Sequence, residues 1–329
     1  MRALVYTAVE TLELRDVAPP EPVEGESVVA VEMCGICGSD MHAWHGKDAR
    51  RVPPLVLGHE AVGIAETGPL AGRRVALNPL MSCGTCAVCH AGRRHLCPNR
   101  ELIGMRVPGA FAERVRIRDR NLTVLPDTLP SAQGVLAEPL ACAVHAARLG
   151  LERLGGRADA LSAAVLGGGA IGLLSAIVLR VEGIGALSVA ETNGPRRETL
   201  DAVLGGVAYD PIASPGAEGS VDLVIDAVGS GPTRAAASRL ARPGGAIVHV
   251  GLQDSAEGLD TRRITLQEIA FIGSYCYGED DFAAALDLLE RRAVDGADWI
   301  EIRPLQAGAA SFRDIDAGSA PAKIALALA

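Results

Sequence analysis

The chain is short of aromatic residues, long apolar runs and positive charge. Phe, Trp and Tyr make up 3% of its 329 residues, and Trp44 and Trp299 are the only tryptophans. A core must therefore be assembled mainly from Ala, Val, Leu and Ile. No uninterrupted stretch reaches the roughly 18 apolar residues of a membrane-spanning helix. The opening Met-Arg-Ala-Leu-Val-Tyr-Thr-Ala-Val-Glu lacks the apolar region of a secretory leader. No membrane association is expected, and the expected location is cytoplasmic. Lys and Arg number 31 against 40 Asp and Glu, a net charge of −9, which disfavours nucleic acid and anionic membrane surfaces. Small molecules are the expected partners.

What is present fits a compact α/β protein of about two domains, with 49% apolar residues and 38 glycines. In a reducing compartment, eight cysteines point to metal binding or catalysis rather than to disulfides. Four of them, Cys83, Cys86, Cys89 and Cys97, form a C-x2-C-x2-C-x7-C array in a glycine-containing loop. Two-residue gaps let neighbouring thiolates converge on one tetrahedral ion, and four sulfurs close its shell against water. A structural zinc is expected. Ferredoxin-type runs space their cysteines differently, and His90 and His95 in the same loop are not needed as ligands.

A second group lies upstream, in Cys-Gly-Ile-Cys-Gly-Ser-Asp-Met-His at 34–42 and Leu-Gly-His-Glu at 57–60. The thiol of Cys37, the imidazole of His59 and the carboxylates of Asp40 and Glu60 are borderline-soft donors suited to a zinc that keeps one position open. Short β segments at 2–6, 27–33, 63–65, 74–77 and 109–118 surround these groups. At Glu138-Pro139 the pattern turns helical, with Pro139 suited to a first turn and Glu138 at the entrance.

The middle of the chain changes character. An apolar strand at 163–166 runs directly into Gly167-Gly168-Gly169-Ala170-Ile171-Gly172 and then into an apolar helix at 173–180. Strand, G-x-G-x-x-G and helix in that order predict a dinucleotide site, because the glycines let a pyrophosphate approach the amides of the helix N-terminus. A second strand at 187–190 ends in Glu191, nineteen residues beyond Gly172, where a carboxylate suits the adenosine ribose. Further strands at 207–209, 223–225, 246–250 and 270–274 alternate with helices, predicting a doubly wound parallel sheet. Val228, Val250 and Gly251 follow strand ends, where a cofactor can lie against the backbone.

Together these motifs resemble the zinc-dependent medium-chain dehydrogenase/reductase family, particularly its polyol and sorbitol dehydrogenase branch. The resemblance covers essentially the whole chain. It implies a GroES-like catalytic domain at 1–138, a Rossmann domain at 139–275 and a return to the catalytic domain at 276–329. It implies two zinc ions per chain, NAD or NADP as cofactor, and assembly as a homodimer or homotetramer. Cys37 and His59 then fall at ligand positions of the catalytic zinc. Glu60 falls at a ligand or modulating position, and Glu138 where some members carry a cysteine ligand. Asp40 takes the position that orients His59. Ser39 and His42 match a relay that carries the alcohol's proton outward while hydride passes to the nicotinamide.

Two departures from the family pattern stand out. The segment from Glu138 to Gly167 is a few residues longer than is common, in a chain that is short overall. The acidic ribose position holds Glu191 rather than aspartate, with Arg196 and Arg197 close behind as candidates for a phosphate. NAD is the favoured cofactor. The expected substrate is a polyol or sugar-derived secondary alcohol, since Asp40, Glu60 and Glu138 would surround the metal with groups that hold hydroxyls. Arg106 would extend the choice to sugar acids. The competing expectations are a dehydrogenase of small aliphatic alcohols, a nucleotide- or redox-sensing protein without catalysis, and a zinc-ribbon nucleic-acid module.

Overall fold

Short runs rich in Val and Ala build most of the strands, and Gly or Pro punctuates the turns between them. The computed structural model describes residues 1–254 and 257–328. The first strands are β1 (Arg2–Ala8), β2 (Thr11–Asp16) and β3 (Glu26–Gly35), followed by helix α1 (Gly38–Trp44). Then come β4 (Leu55–Val56), β5 (Glu60–Ala65), β6 (Arg74–Leu77), β7 (Leu80–Met81), α2 (Ala87–His90), β8 (Glu101–Leu102), β9 (Arg114–Arg118), β10 (Leu122–Val124) and α3 (Ser131–Gly134). A long helix α4 (Ala137–Leu154) precedes β11 (Ser162–Leu166), α5 (Ala170–Val181), β12 (Ala186–Ala190), α6 (Gly194–Leu204), β13 (Ala208–Tyr209) and β14 (Val221–Asp226). The chain closes with α7 (Gly231–Leu240), β15 (Ala241–His249), α8 (Thr261–Leu266), β16 (Ala270–Gly273), α9 (Glu279–Glu290), β17 (Ile300–Pro304), α10 (Gly308–Asp316) and β18 (Lys323–Ala327).

Two compact units result, one of Met1–Glu138 with Ala285–Ala329 and one of Pro139–Ala284. The division between the two units at their second boundary falls within α9.

In the first unit the main sheet runs β10-β6-β5-β3-β18-β17, with β9 also on β3. Its register decides the chemistry. Gly35 of β3 faces Glu60 of β5 on one side and Ala325 of β18 on the other, which carries Lys323 from the far end of the chain to Glu60. Gly35 is required there, since a Cβ would collide with the Glu60 carboxylate and the Lys323 side chain. Among the few aromatics, Trp44, Phe111 and Phe312 gather in this core, with ring centroids 6.3 Å apart for Trp44–Phe312 and 6.1 Å for Phe111–Phe312. Each fully buried ring contributes roughly 1.5–3 kcal/mol. The strand expected over 109–118 begins only at Arg114. The preceding residues bond instead to the loop before His59, through Gly109 N–Val56 O (2.8 Å), Ala110 N–Gly58 O (2.9 Å) and Phe111 N–Leu57 O (3.0 Å).

The second unit is a six-stranded sheet in the order β13-β12-β11-β14-β15-β16, with every pairing parallel. Parallel strands need crossovers, and α5, α6, α7 and α8 supply those of β11–β12, β12–β13, β14–β15 and β15–β16. Helix α5 is apolar on most sides and is buried from Gly172 to Leu179. The strand order reverses between β11 and β14, the place where ligands bind in such sheets. Among the described residues, the connection from β13 to β14 carries no helix.

Candidate metal centres and cofactor turn

Helix α1 begins immediately after Cys37, and its first turn is closed by Asp40, whose Oδ2 accepts from Cys37 N at 3.1 Å. Asp40 is fully buried, and its other oxygen lies 3.4 Å from His59 Nδ1. The opposite ring nitrogen, His59 Nε2, is 3.5 Å from Ser39 Oγ. His59 ends the loop before β5 and Glu60 opens that strand. One ligand atom from each of Cys37, His59 and Glu60 comes within 4.8 Å of the others. Three of the predicted ligands therefore converge, while Glu138 does not join them. It is buried in the first turn of α4, and its charge acts on Lys323.

Burial alone would depress the His59 pKa, but the Asp40 carboxylate outweighs it and holds the ring well above its ordinary value. Burial opposes ionisation of Asp40 too, and the His59 charge, with Arg51 and the Cys37 amide, keeps its pKa low. Glu60 is 1% exposed and bonds Lys323 Nζ, which is equally buried and also donates to Ile36 O at 2.9 Å. Burial would lower the Lys323 pKa, yet Glu60, Cys37 and Glu138 raise it. One oxygen of each carboxylate is thus held by the protein, Asp40 Oδ2 by the Cys37 amide and Glu60 Oε2 by Lys323, so neither group is wholly free for substrate hydroxyls.

The cluster suits a zinc ion by its chemistry. A thiol, an imidazole and a carboxylate form a three-ligand set of the kind that leaves one position open. His59 Nδ1 and Asp40 Oδ1 are buried without a well-formed hydrogen bond, although they are close. That geometry is one a metal at Nε2 would tighten, since ligation fixes the proton on the nitrogen facing Asp40.

The second cluster is unambiguous in its spacing. Sγ–Sγ separations are 3.5 Å for Cys83–Cys97 and Cys86–Cys89, and 3.9 Å for Cys83–Cys89 and Cys86–Cys97. Tetrahedral thiolates about 2.3 Å from zinc lie about 3.8 Å apart. Backbone amides of Thr85 and Cys86, with Cys97, bring the Cys83 pKa down to about 5, which favours the thiolate that a metal requires. Neither His90 nor His95 belongs to this cluster.

Of the predicted relay residues, Ser39 touches the cluster and His42 sits one turn further along α1, half-buried. Burial first, then the charges of Lys47 and Arg51, hold the His42 pKa below its ordinary value against the pull of Asp48. Arg106 is exposed. Sequence reading missed Arg51, which is 3% exposed and bonded to Ser39, Asp48 and Gly104. It missed Lys323 as well. The only local signal for either was a cation within an apolar or proline-bearing run.

In the second unit the glycine turn has the required shape. Gly167 has φ +97°, and a Cβ there would strike Val228. Gly172 packs its α-carbon against the Gly167 carbonyl, so a side chain there would clash. Gly169 precedes α5 with open space around it, and Ala170 and Ile171 form the first turn of that helix. Glu191 is brought to the turn, and its carboxylate accepts from Gly168 N and Asn193 N, both at 2.7 Å. The Arg196 amide bonds Asn193 Oδ1 at 3.1 Å at the start of α6. The Arg197 guanidinium is held on the carbonyls of Glu191 and Thr192, both at 2.8 Å.

Val228, Val250 and Gly251 lie beside one another at the ends of β14 and β15. There the backbones of Gly229 and Gly251 approach too closely for any side chain. The organiser of these loops is Asp226, unforeseen from sequence. It is fully buried and accepts from Val228 N (3.1 Å), Gly229 N (2.9 Å) and Thr233 Oγ1 (3.1 Å), with His249 Nδ1 at 3.1 Å. At the same edge of the sheet, a cavity of about 320 Å³ is lined by Leu166, Tyr209, Pro211, Pro232 and Ala236, among others.

A parallel sheet with this turn, joined in one chain to a closed thiolate cluster and an open Cys-His-Glu cluster, defines a metal-dependent, nucleotide-linked oxidoreductase. Comparison with known proteins agrees. Residues 23–127 match the alcohol dehydrogenase GroES-like domain, and residues 170–291 match the zinc-binding dehydrogenase domain. The chain is 32% identical over 312 residues to 2-dehydro-3-deoxy-L-galactonate 5-dehydrogenase of Pseudoalteromonas atlantica, covering 90% of this chain and 89% of the relative. It is 31% identical to D-arabitol-phosphate dehydrogenase of Enterococcus avium, covering 85% and 83%. A zinc-binding dehydrogenase of Sinorhizobium meliloti 1021, solved bound to NADP, superimposes with a TM-score of 0.87 at 31% identity over 99% of both chains. The chain belongs to the zinc-type alcohol dehydrogenases of the medium-chain dehydrogenase/reductase family, in its polyol-dehydrogenase-like part. It is a dehydrogenase, with zinc and a nicotinamide dinucleotide as cofactors. Among the described residues, no helix is long and apolar enough to cross a membrane.

Proposed function

We propose that the protein interconverts a polyol or sugar-derived secondary alcohol and its ketone, with NAD as the preferred hydride carrier. The observation that carries this reading is the convergence of Cys37, His59 and Glu60 within 4.8 Å, with the Ser39 hydroxyl 3.5 Å from His59. Zinc held there supplies Lewis acidity toward a substrate oxygen, and the nicotinamide supplies the hydride acceptor. The protein's own groups do the remainder. Asp40 fixes the tautomer and orientation of His59. Ser39 takes the alcohol's proton as it gives up its own, and His42, kept neutral by burial and nearby cations, receives it on the way to solvent. Glu138 lies outside the converged set, and its charge acts with those of Glu60 and Cys37 to raise the Lys323 pKa.

For the cofactor, the glycine turn with Gly167, Gly169 and Gly172 takes the pyrophosphate, and Glu191 takes the adenosine ribose. The apolar cavity beside β13 suits the adenine ring. Glu191 would meet an added 2′-phosphate with like charge, and Arg197 is held away on backbone carbonyls. The Sinorhizobium relative was solved bound to NADP, so both dinucleotides are compared in the assay below. The exposed edge strand β16, with Phe271 37% exposed, and Leu266 of the preceding helix α8, 69% exposed, support a homo-oligomer. A cytoplasmic location completes the reading.

The polyol preference draws on the relatives, two of which act on sugar-derived alcohols by their names. One observation favours the alternative of small aliphatic alcohols: Asp40 and Glu60 are already bonded within the protein. A single panel decides between them, comparing kcat/KM for xylitol, D-sorbitol, galactonate, 2-propanol and 1-butanol with NAD and NADP. Equal or better efficiency on the two simple alcohols would reject the polyol reading.

A further inference from the structure

We propose that Arg51 is a positioning residue of the proton relay, holding the Ser39 hydroxyl in the one orientation that accepts from substrate and donates onward. One guanidinium grips Ser39 twice, donating from Nη1 to its carbonyl at 3.1 Å and from Nη2 to its Oγ at 3.3 Å. The same group is anchored by Asp48 Oδ2 at 2.8 Å and by the Gly104 carbonyl at 2.9 Å. Asp48 is braced in turn by Arg50, through Nε at 2.8 Å and Nη2 at 3.0 Å. A buried cation needs several acceptors to offset its desolvation, and two of the acceptors here belong to a single serine.

The consequence follows from the hydrogen-bonding capacity of a hydroxyl. Ser39 Oγ has two acceptor positions and one donor. Arg51 occupies one acceptor position, which leaves a single one for an incoming alcohol. The O–H is then left to donate away from the guanidinium. When the alcohol's proton bonds to Oγ, the serine's original O–H breaks and its proton passes to His42, the acceptor assigned in the relay above, so Ser39 returns to a neutral hydroxyl. Without Arg51 the side chain can rotate among its staggered positions, most of which break this chain. A lysine cannot replace the planar fork that reaches both oxygens of Ser39.

This proposal rests on Ser39 being the relay residue, and the test separates the two ideas. Arg51→Lys, Ser39→Ala and the double variant are compared by kcat and KM on the best alcohol of the panel above, with zinc content and melting temperature as controls. Ser39→Ala is expected to lower kcat at least about tenfold, toward the range of general acid–base effects. Arg51→Lys is expected to lower kcat about tenfold with KM within about twofold, and to cost under twofold once Ser39 is Ala. A raised solvent deuterium isotope effect on kcat should accompany Arg51→Lys in the presence of Ser39. If Arg51→Lys does not fold, Asp48→Asn slackens the same guanidinium and serves in the same cycle. An equal loss from the Arg51 or Asp48 change with and without Ser39 overturns the proposal and leaves the relay standing. Full kcat in Ser39→Ala overturns the relay and Arg51's role with it.

Discussion

Replacing Lys323 by Met tests what holds the open metal cluster in place. Lys323 and Glu60 are respectively 2% and 1% exposed, and their bond lies 263 residues apart in the chain. Removing the cation leaves Glu60 buried, charged and unpaired, a loss of about 3–5 kcal/mol for such a pair. For a unit of this size, each kcal/mol moves the melting temperature by roughly 2–4 °C, so a fall of about 6–20 °C is expected in metal-free protein. Converting Glu60 to Gln in the same chain removes the stranded charge and should restore most of the loss. Zinc-loaded Lys323→Met should lose less than the chelated form, because a bound cation offsets the Glu60 charge. Differential scanning fluorimetry with and without chelator measures all three. A single variant that melts within about 2 °C of the parent in the metal-free state would refute the reasoning, since the carboxylate would then have found another partner or a proton.

Elemental analysis of the purified protein should find close to two zinc ions per chain. Cys97→Ser should lose one of them together with stability, because its sulfur closes the four-thiolate shell, whereas Cys37→Ser should lose turnover with a smaller change in melting. NAD should exceed NADP in kcat/KM by about tenfold or more through Glu191; a higher value with NADP would mean that Arg196 or Arg197 dominates. In the second unit, burial opposes ionisation of Asp281, but bonds from His145 Nδ1 (2.9 Å), Gly278 N (2.7 Å) and Arg148 (3.0 Å) hold its pKa low. A carboxylate with a depressed folded pKa adds stability above its unfolded value near ~3.9 and loses it as pH falls further. The stability gap between the parent and Asp281→Asn should therefore narrow below about pH 4; a gap that widens on acidification contradicts this.

The features legible in the sequence were those whose residues are close together in the chain. Cys83, Cys86, Cys89 and Cys97 announce a tetrahedral site because two-residue gaps bring thiols together whatever else the chain does. The turn from Gly167 to Gly172 is legible because strand, turn and helix are contiguous. Glu191 follows from the length of one βαβ unit. Parallel order could be expected from the alternation of strands and helices, since parallel neighbours require crossovers.

Tertiary structure decided what depends on register between distant strands. The pairing of β18 with β3 puts Lys323 against Glu60, turning an expected substrate-facing carboxylate into half of a buried ion pair. Folding of the 48–51 loop onto α1 places Arg51 on Ser39. The same fold keeps Glu138 outside the Cys37, His59 and Glu60 set, although all four read alike as candidate ligands. Asp226 is silent in sequence because a carboxylate at a strand end becomes an organiser only when neighbouring amides turn toward it. Chain-local chemistry determined the kind of protein, its closed thiolate site and its cofactor turn. Strand register and desolvation, which no spacing rule encodes, decided which charges are free to act and which are spent on one another.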